Sequence, residues 1–399
     1  MKRARAYTIR SDTTSKTVIP LSVPCLRGNE WAYVKECLDT NWVSSVGSFV
    51  ERFERMAAAA AGTGHAVATV NGTAALHIAL KLAGVEAGDE VAVSDLTFIA
   101  PANAVRYQGA WPVFVDAEPM HWQMDPQKLR DFLRKECVFA GGALKNRHTG
   151  RRVAALLPVH ILGHPCDMDP ILEEAGAFGL PVVEDATESL GVLYNGRPAG
   201  SFGRMASLSF NGNKILTTGG GGMLVTNDAE MARRARHLTT QAKDDPVEYI
   251  HGEVGFNYRL TNVLAAIGVA QMERLDRHVA DKRATAKAYT EALSKVPGIR
   301  CPAEPKGAFS TFWLYSILVE EKIAGMDSRA LLRRLSGKGI ESRPLWQPMH
   351  LSPAHRGSYA TDCTVAGRLY REALSIPCSV GISSAEIDQV VSAISDVNG

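Results

Sequence analysis

Two stretches carry the reading of the fold: LPVVEDATESLG, Leu180–Gly191, and MASLSFNGNKILTTGGGGMLVT, Met205–Thr226. Each contains short apolar runs bounded by polar residues. Leu180–Asp185 ends on the acidic pair Glu184-Asp185, Ala206–Phe210 is followed by Asn211-Gly212-Asn213-Lys214, and Met223–Thr226 is preceded by the glycines Gly219 to Gly222. Runs that are continuously apolar, rather than alternating, mark strands covered on both faces, as in a largely parallel sheet. The same kind of run recurs upstream at His65–Val70, Glu90–Val93, Pro112–Asp116 and Val153–Val159. Helix-like stretches separate the runs at Thr73–Ala83, Pro101–Gln108, Pro126–Lys135, Met168–Phe178 and Ala229–Thr239. This rhythm predicts an α/β fold.

A long helical stretch follows from Asn262 to Val296 and stops at Pro297-Gly298. The rest reads as a smaller α+β unit, with a strand at Phe312–Val319 and helices at Ser328–Leu335, Val365–Leu374 and Ala385–Val397. The expected organisation is a flexible tail at 1–16, a large unit at 17–260, a connecting helix at 261–299 and a small unit at 300–399.

Composition removes several classes of function. The 399 residues are 46% hydrophobic and 22% charged, ordinary values that exclude a disordered or fibrous chain. Lys plus Arg number 44 against 42 Asp plus Glu, too balanced for a nucleic-acid partner, although a local positive pocket for a small anion stays open. The cysteines are seven, an odd count without a C-x-x-C pair, which reads as reduced thiols in a cytoplasmic protein. No apolar run approaches the length of a bilayer span, so no membrane partner is expected. The first residues carry Lys2, Arg3, Arg5 and Arg10 without the apolar core of a secretory signal.

Ligands of such a sheet gather at the carboxyl ends of its strands, so the polar residues there are the candidates. Asn71-Gly72-Thr73-Ala74-Ala75 turns from a strand into a helix, and its free amides suit either a phosphate cradle or an ordinary capped helix start. It has neither the G-K-[ST] of a Walker A loop nor the dinucleotide fingerprint G-x-G-x-x-G. Asp185 is placed to pair with a protonated ring nitrogen, to act as acid or base, or merely to cap a helix. Lys214 is placed as a nucleophilic amine if desolvated, or as a solvated surface lysine. The glycine run costs backbone entropy, which implies a close backbone approach. Phe98 suits a ring stacker or a core position. His160 and His164 are four apart, but Gly163 and Pro165 oppose a helix there, and no metal site is expected. A phosphate cradle, an aromatic face, a strand-end carboxylate and a strand-end lysine are together the parts of a pyridoxal phosphate site.

These residues resemble a known family. Asn71-Gly72-Thr73-Ala74-Ala75, Thr97-Phe98-Ile99-Ala100, Pro158-Val159-His160-x-x-Gly163 with Asp167-Met168-Asp169, and Glu184-Asp185-Ala186-x-Glu188-Ser189-x-Gly191 look like the DegT/DnrJ/EryC1/StrS sugar aminotransferases. So do Ser209-Phe210-x-x-x-Lys214, Thr217-x-Gly219-Gly220-Gly221-Gly222, Gly255-Phe256-Asn257-Tyr258-Arg259-Leu260-Thr261 and Pro348-Met349-His350. The resemblance implies a fold-type I aminotransferase, with a large mostly parallel sheet and a smaller C-terminal unit, working as a homodimer with shared active sites. It implies pyridoxal 5'-phosphate held by Lys214 as a Schiff base, with Asp185 on the ring nitrogen and Phe98 on the ring face. Thr73, Ala74 and Ser209 would hold the phosphate, and Asn257 would reach the phosphate in the partner subunit. L-glutamate would be the amino donor and a nucleotide-linked 4-keto-6-deoxy sugar the acceptor. A lysine rather than histidine at position 214 favours transamination over dehydration.

Many relatives carry Gln or His where this chain has Glu188, a carboxylate expected near the cofactor's phenolic oxygen. Glu188-Ser189-Leu190-Gly191, Trp42-Val43-Ser44-Ser45-Val46-Gly47 and Asn211-Gly212-Asn213-Lys214 resemble the branch acting on UDP-4-keto-6-deoxy-N-acetylglucosamine, which is the expected substrate. A GDP- or dTDP-linked keto sugar is the alternative, as is a non-catalytic ligand-binding relative; a nicotinamide-dependent oxidoreductase is opposed by the missing fingerprint. Lys243, Arg259, Arg343 and His350 are the candidates for binding the substrate diphosphate, against the alternative of surface residues and ordinary ion pairs.

Overall fold

The computed structural model describes residues 18–396; the expected tail at 1–16 lies outside them. The central sheet has seven strands: β1 His65–Thr69, β2 Glu90–Ser94, β3 Trp111–Val115, β4 Val153–Leu157, β5 Val183–Asp185, β6 Met205–Ser209 and β7 Gly222–Thr226. Their spatial order is β3-β2-β4-β5-β6-β7-β1, with β4 and β5 joined through the Leu156–Val182 and Val159–Asp185 bridges. All are parallel except β7, which runs antiparallel to both β6 and β1. Every residue of β2, β4 and β7 is buried, in keeping with the mainly apolar, non-alternating sequences of strands covered on both faces.

The second sheet, of the small unit, has four strands in the order Ile299–Arg300, Tyr315–Val319, Ala373–Ile376, Arg343–Pro344, all antiparallel. The two units are tied together at several points. Tyr359–Ala360 leaves the small unit to pair in parallel with β3 at the edge of the large sheet. Asp95, just past β2, accepts the His350 backbone amide on Oδ1 at 2.8 Å and the His350 ring Nδ1 on Oδ2 at 2.7 Å.

Several elements differ from expectation, among them the helix expected at Pro126–Lys135, which is α-helical only over Pro126–Asp131. The expected single connecting helix is two, Asn262–Met272 and Leu275–Leu293. The break falls where the Arg274 amide turns back to Gln271 at 3.0 Å and the Glu273 carboxylate is drawn outward by Arg52 at 2.6 Å and the Tyr33 hydroxyl at 2.8 Å. The helix expected to run to Leu374 stops at Glu372, because Ala373–Ile376 is a central strand of the small sheet. The strand expected from Phe312 starts at Tyr315, because Phe312 has a left-handed backbone (φ 50°). A hairpin, Cys137–Ala140 with Ala143–Asn146, was not foreseen.

Candidate active site

β5 places two carboxylates in succession, and neighbouring residues of a strand face opposite ways. Glu184 is fully buried and organises one side: it accepts the His160 Nε2–H at 3.0 Å and the amides of Gly200, Phe202 and Gly203 at 2.8, 2.7 and 2.6 Å. His160 accepts the Cys166 amide on Nδ1 at 2.9 Å, so both ring nitrogens are spent in the neutral form. His164 bonds Ser310 Oγ at 2.7 Å, and burial pushes its pKa down to about 4. Both ring nitrogens of His160 and the Nδ1 of His164 are thus engaged in hydrogen bonds. Glu184→Gln presents amide hydrogens to backbone donors that need an acceptor, and it is expected to cost about 2–4 kcal/mol of stability. Urea unfolding checks this; a loss below about 0.5 kcal/mol would contradict it.

Asp185 faces the other way, 2% exposed, with Oδ1 accepting the Thr187 amide at 3.0 Å. Burial raises its pKa, opposed by the Thr187 hydrogen bonds and by the charge of Lys214. A buried carboxylate in that state gains most from a nearby cation.

The carboxyl ends of β1, β5 and β6 converge on a cavity of about 340 Å³ whose walls include Thr73, Phe98, Glu188, Ser209 and Lys214. Asn71 Oδ1 caps the Gly72–Leu82 helix by accepting the Ala74 amide at 2.8 Å, so both readings of this turn hold: it is a capped helix start, and it walls the cavity. Capping takes up the Ala74 amide, which was expected to hold a phosphate and does not line the cavity, while the amides of Gly72 and Thr73, whose residues do line it, have no partner within the helix. Gly222 explains part of the glycine run. A Cβ there would lie 2.2 Å from the Asn71 carbonyl carbon and 2.5 Å from Gly72 N, so β7 can pack behind this turn only without a side chain. Around Gly219 and Gly220 there is open space, and at those two positions nothing in the fold demands glycine by contact.

Lys214 is held at the cavity edge after a turn in which its amide bonds the Asn211 carbonyl at 3.0 Å. Its Nζ lies 3.4 Å from Glu188 Oε1 and 4.0 Å from the centre of the Trp313 ring. Burial raises the pKa of Glu188, countered by Lys214 and by the Leu162 amide, which donates to Oε2 at 2.9 Å. Phe98 is 53% exposed and lines the cavity, so it is no core residue. Trp313 and Trp346, both from the small unit, complete the wall. Sequence reasoning missed them, since nothing local in Phe312-Trp313-Leu314 points to the far edge of another sheet.

The other candidates lie elsewhere. Arg259 is buried in an ion pair with Glu54 at 2.9 Å and also donates to the Ala68 carbonyl at 3.1 Å. Burial pulls its pKa down against the pull of Glu54, and the ordinary ion pair is therefore its role within this chain. Lys243 sits over the Tyr249 ring at 4.5 Å, in the Lys243–Asp245 and Ile250–His251 hairpin. Arg343 bonds its neighbour's carbonyl on Ser342. His350 is held by Asp95, whose hydrogen bond raises the imidazole pKa. Asn257 is exposed, next to Thr240, outside the walls of its own chain's cavity. A larger cleft of about 710 Å³ lies in the small unit; of its four arginines, Arg300 and Arg368 are paired with Glu320 and Glu372, and Arg329 donates to the Tyr370 carbonyl.

Residues 24–395 match the DegT/DnrJ/EryC1/StrS aminotransferase family. The chain belongs to this family. It is 40% identical over 380 residues to GDP-perosamine synthase of Caulobacter vibrioides, covering 95% of this chain and 98% of that protein. It is 36% identical over 378 residues to GDP-perosamine synthase of Escherichia coli O157:H7, with 95% and 98% covered. Among solved structures, S. venezuelae DesV in complex with a ketimine intermediate superposes with a TM-score of 0.83 at 32% identity, over 93% of this chain and 94% of that one. The protein is thus a pyridoxal-phosphate-dependent sugar aminotransferase of fold type I. The cavity's lining fits that cofactor, with a lysine at its edge, an exposed aromatic face and a helix start backed by a glycine, while the buried Asp185 carboxylate stands behind the wall, bonded to the Thr187 amide of the lining and within the field of Lys214. The relatives named for a GDP-linked product do not support the UDP-sugar branch expected from the sequence. Among the described residues no helix is long and apolar enough to cross a membrane.

Proposed function

We propose that this enzyme transfers the amino group of L-glutamate to C4 of a GDP-linked 4-keto-6-deoxy sugar. The observation that carries the choice of nucleotide is the pair of relatives named GDP-perosamine synthase, similar over nearly the whole chain. Bound in the cavity, pyridoxal phosphate supplies the electron sink on which amino-group transfer depends. Lys214 would carry it, and its free amine would serve as the group that moves the proton at the donor's α-carbon. Asp185 holds the ring nitrogen protonated. Phe98 covers one ring face, and the Gly72 and Thr73 amides with Ser209 hold the phosphate. Glu188, 3.4 Å from Lys214 Nζ, would lie on the phenolic oxygen side of the ring.

The working unit is a homodimer. Asn257 and the Lys243–His251 hairpin lie outside their own cavity, with Val247, Tyr249 and Val254 exposed beside them, as expected of parts that complete the partner's site. Lys243, His350 and Arg343 remain the candidates for the diphosphate. On this reading residues 17–260 form the large unit, 261–299 the link and 300–399 the small unit.

Assays of purified enzyme with glutamate and each keto sugar test the nucleotide, read by mass spectrometry of the products. GDP-4-keto-6-deoxymannose is expected to be aminated with a kcat/KM at least about 100-fold above that for UDP-4-keto-6-deoxy-N-acetylglucosamine. Preference for the UDP- or dTDP-linked sugar would contradict the proposal.

A further inference from the structure

The Pro158–Gly163 turn takes no part in the chemistry above, yet it buttresses both groups that flank Lys214. Its Leu162 amide, in left-handed backbone (φ 61°), donates to Glu188 Oε2 at 2.9 Å. Its Gly163 carbonyl accepts the Thr311 amide at 2.9 Å, which brings the Thr311-Phe312-Trp313 segment of the small unit against it. Gly163 has φ 83°, and a Cβ there would lie 2.5 Å from Trp313 N and 2.9 Å from Phe312 N. Only glycine permits that approach.

Trp313 is pinned at two more points. Its Nε1–H donates to the Asn213 carbonyl at 2.7 Å, next to Lys214 itself, and its own carbonyl accepts Lys282 Nζ at 2.8 Å. Lys282 is 2% exposed and is satisfied by carbonyls, donating also to that of Cys378 at 2.5 Å. A buried lysine is costly, and here it anchors the backbone behind the indole. The ring is thereby fixed with its face 4.0 Å from Lys214 Nζ, while Glu188 Oε1 stands 3.4 Å from the same nitrogen.

We propose that Trp313 is a positioning residue for Lys214, its ring face acting with Glu188 to hold Nζ in place whenever that nitrogen is not bonded to the cofactor. The inference rests on the assignment of Lys214 as the lysine that carries the cofactor. A lysine side chain set free has four rotatable bonds and much conformational entropy. An indole face attracts an ammonium more strongly than any other side-chain ring, so it keeps the amine near the atoms between which a proton must move.

The test uses Trp313→Leu, which removes the ring, and Trp313→Phe, which keeps a ring face but loses the bond to Asn213. Trp313→Met replaces the leucine variant should that one lose its folded near-UV signal. In the cofactor-free full chain, brief treatment with acetic anhydride at one pH is followed by quantitation of the Lys214 peptide against that of exposed Lys35. Trp313→Leu is expected to acetylate Lys214 at least about threefold faster than wild type, and Trp313→Phe within about twofold. In the holoenzyme, Trp313→Leu should lower kcat about tenfold with both KM values within about twofold, and Trp313→Phe should restore most of it.

Unchanged Lys214 acetylation in the leucine variant would overturn the proposal. So would a raised KM with intact kcat, which marks a mere substrate wall, or a phenylalanine variant as impaired as the leucine one. Absence of cofactor on Lys214 would defeat the assignment beneath it, whereas the acetylation result does not depend on the cofactor.

Discussion

Lys214→Ala retains less than about one thousandth of the wild-type kcat, with its folding unchanged. Two functions are lost together. On the proposed reading the amine would both hold the cofactor and move the proton at the donor's α-carbon. Proton transfer by a positioned group contributes about 10²–10⁴-fold on its own, and the covalent role adds to that. Little stability should be lost, because the side chain lies at the cavity edge, and its neighbours there are Glu188 at 3.4 Å and the Trp313 ring rather than core packing. Glu188 is left buried without its cation, a modest penalty that protonation relieves, since burial already raises its pKa. Steady-state turnover alongside thermal unfolding checks the result. Activity above about one hundredth of wild type would show that another group does the work.

Asp185→Asn lowers kcat by about 100-fold or more and weakens cofactor retention. The carboxylate is 2% exposed at the end of β5, and its burial disfavours the charged form until a cation arrives. On the proposed reading the protonated ring nitrogen of the cofactor would be that cation. Asparagine fills the same space and still accepts the Thr187 amide, but it offers no charge to keep the ring protonated. Removing one partner of a buried pair costs about 3–5 kcal/mol, and each 1.36 kcal/mol is tenfold in rate. Dialysis followed by absorbance reads retention, and turnover at saturating cofactor separates that loss from the chemical one. Wild-type kcat in the variant would mean that Asp185 is only a helix-start acceptor for Thr187.

The parts of the site that lie at strand ends were legible in the sequence, because a buried parallel strand must be apolar and its end is announced by the first polar residue. Asn71-Gly72-Thr73 and Lys214 were singled out in this way and line the cavity, and Asp185 was singled out likewise and is buried at the end of β5. The glycine run was legible as a demand for close approach, and the structure places that demand at Gly222, behind the Asn71-Gly72 turn. Trp313 and Trp346 were not legible, because they reach the cavity from the small unit through tertiary packing. Arg259 was misleading for a related reason. Its buried partner, Glu54, lies on the distant Ser48–Ala60 helix, and no spacing rule connects the two. The break at Glu273-Arg274 escaped because helical periodicity continues across it, while the cause is a set of contacts from Tyr33 and Arg52. The choice of nucleotide was beyond local motifs altogether; the relatives similar over nearly the whole chain do not support the UDP branch, and they carry the proposal of a GDP-linked sugar.

Borohydride reduction of the purified holoenzyme, followed by peptide mapping, tests the central claim most directly. The account predicts a loss of the yellow absorbance and one phosphopyridoxyl group, on the peptide containing Lys214. A stable label on any other lysine, or a protein that can neither be isolated with the cofactor nor reconstituted with it, would contradict the account.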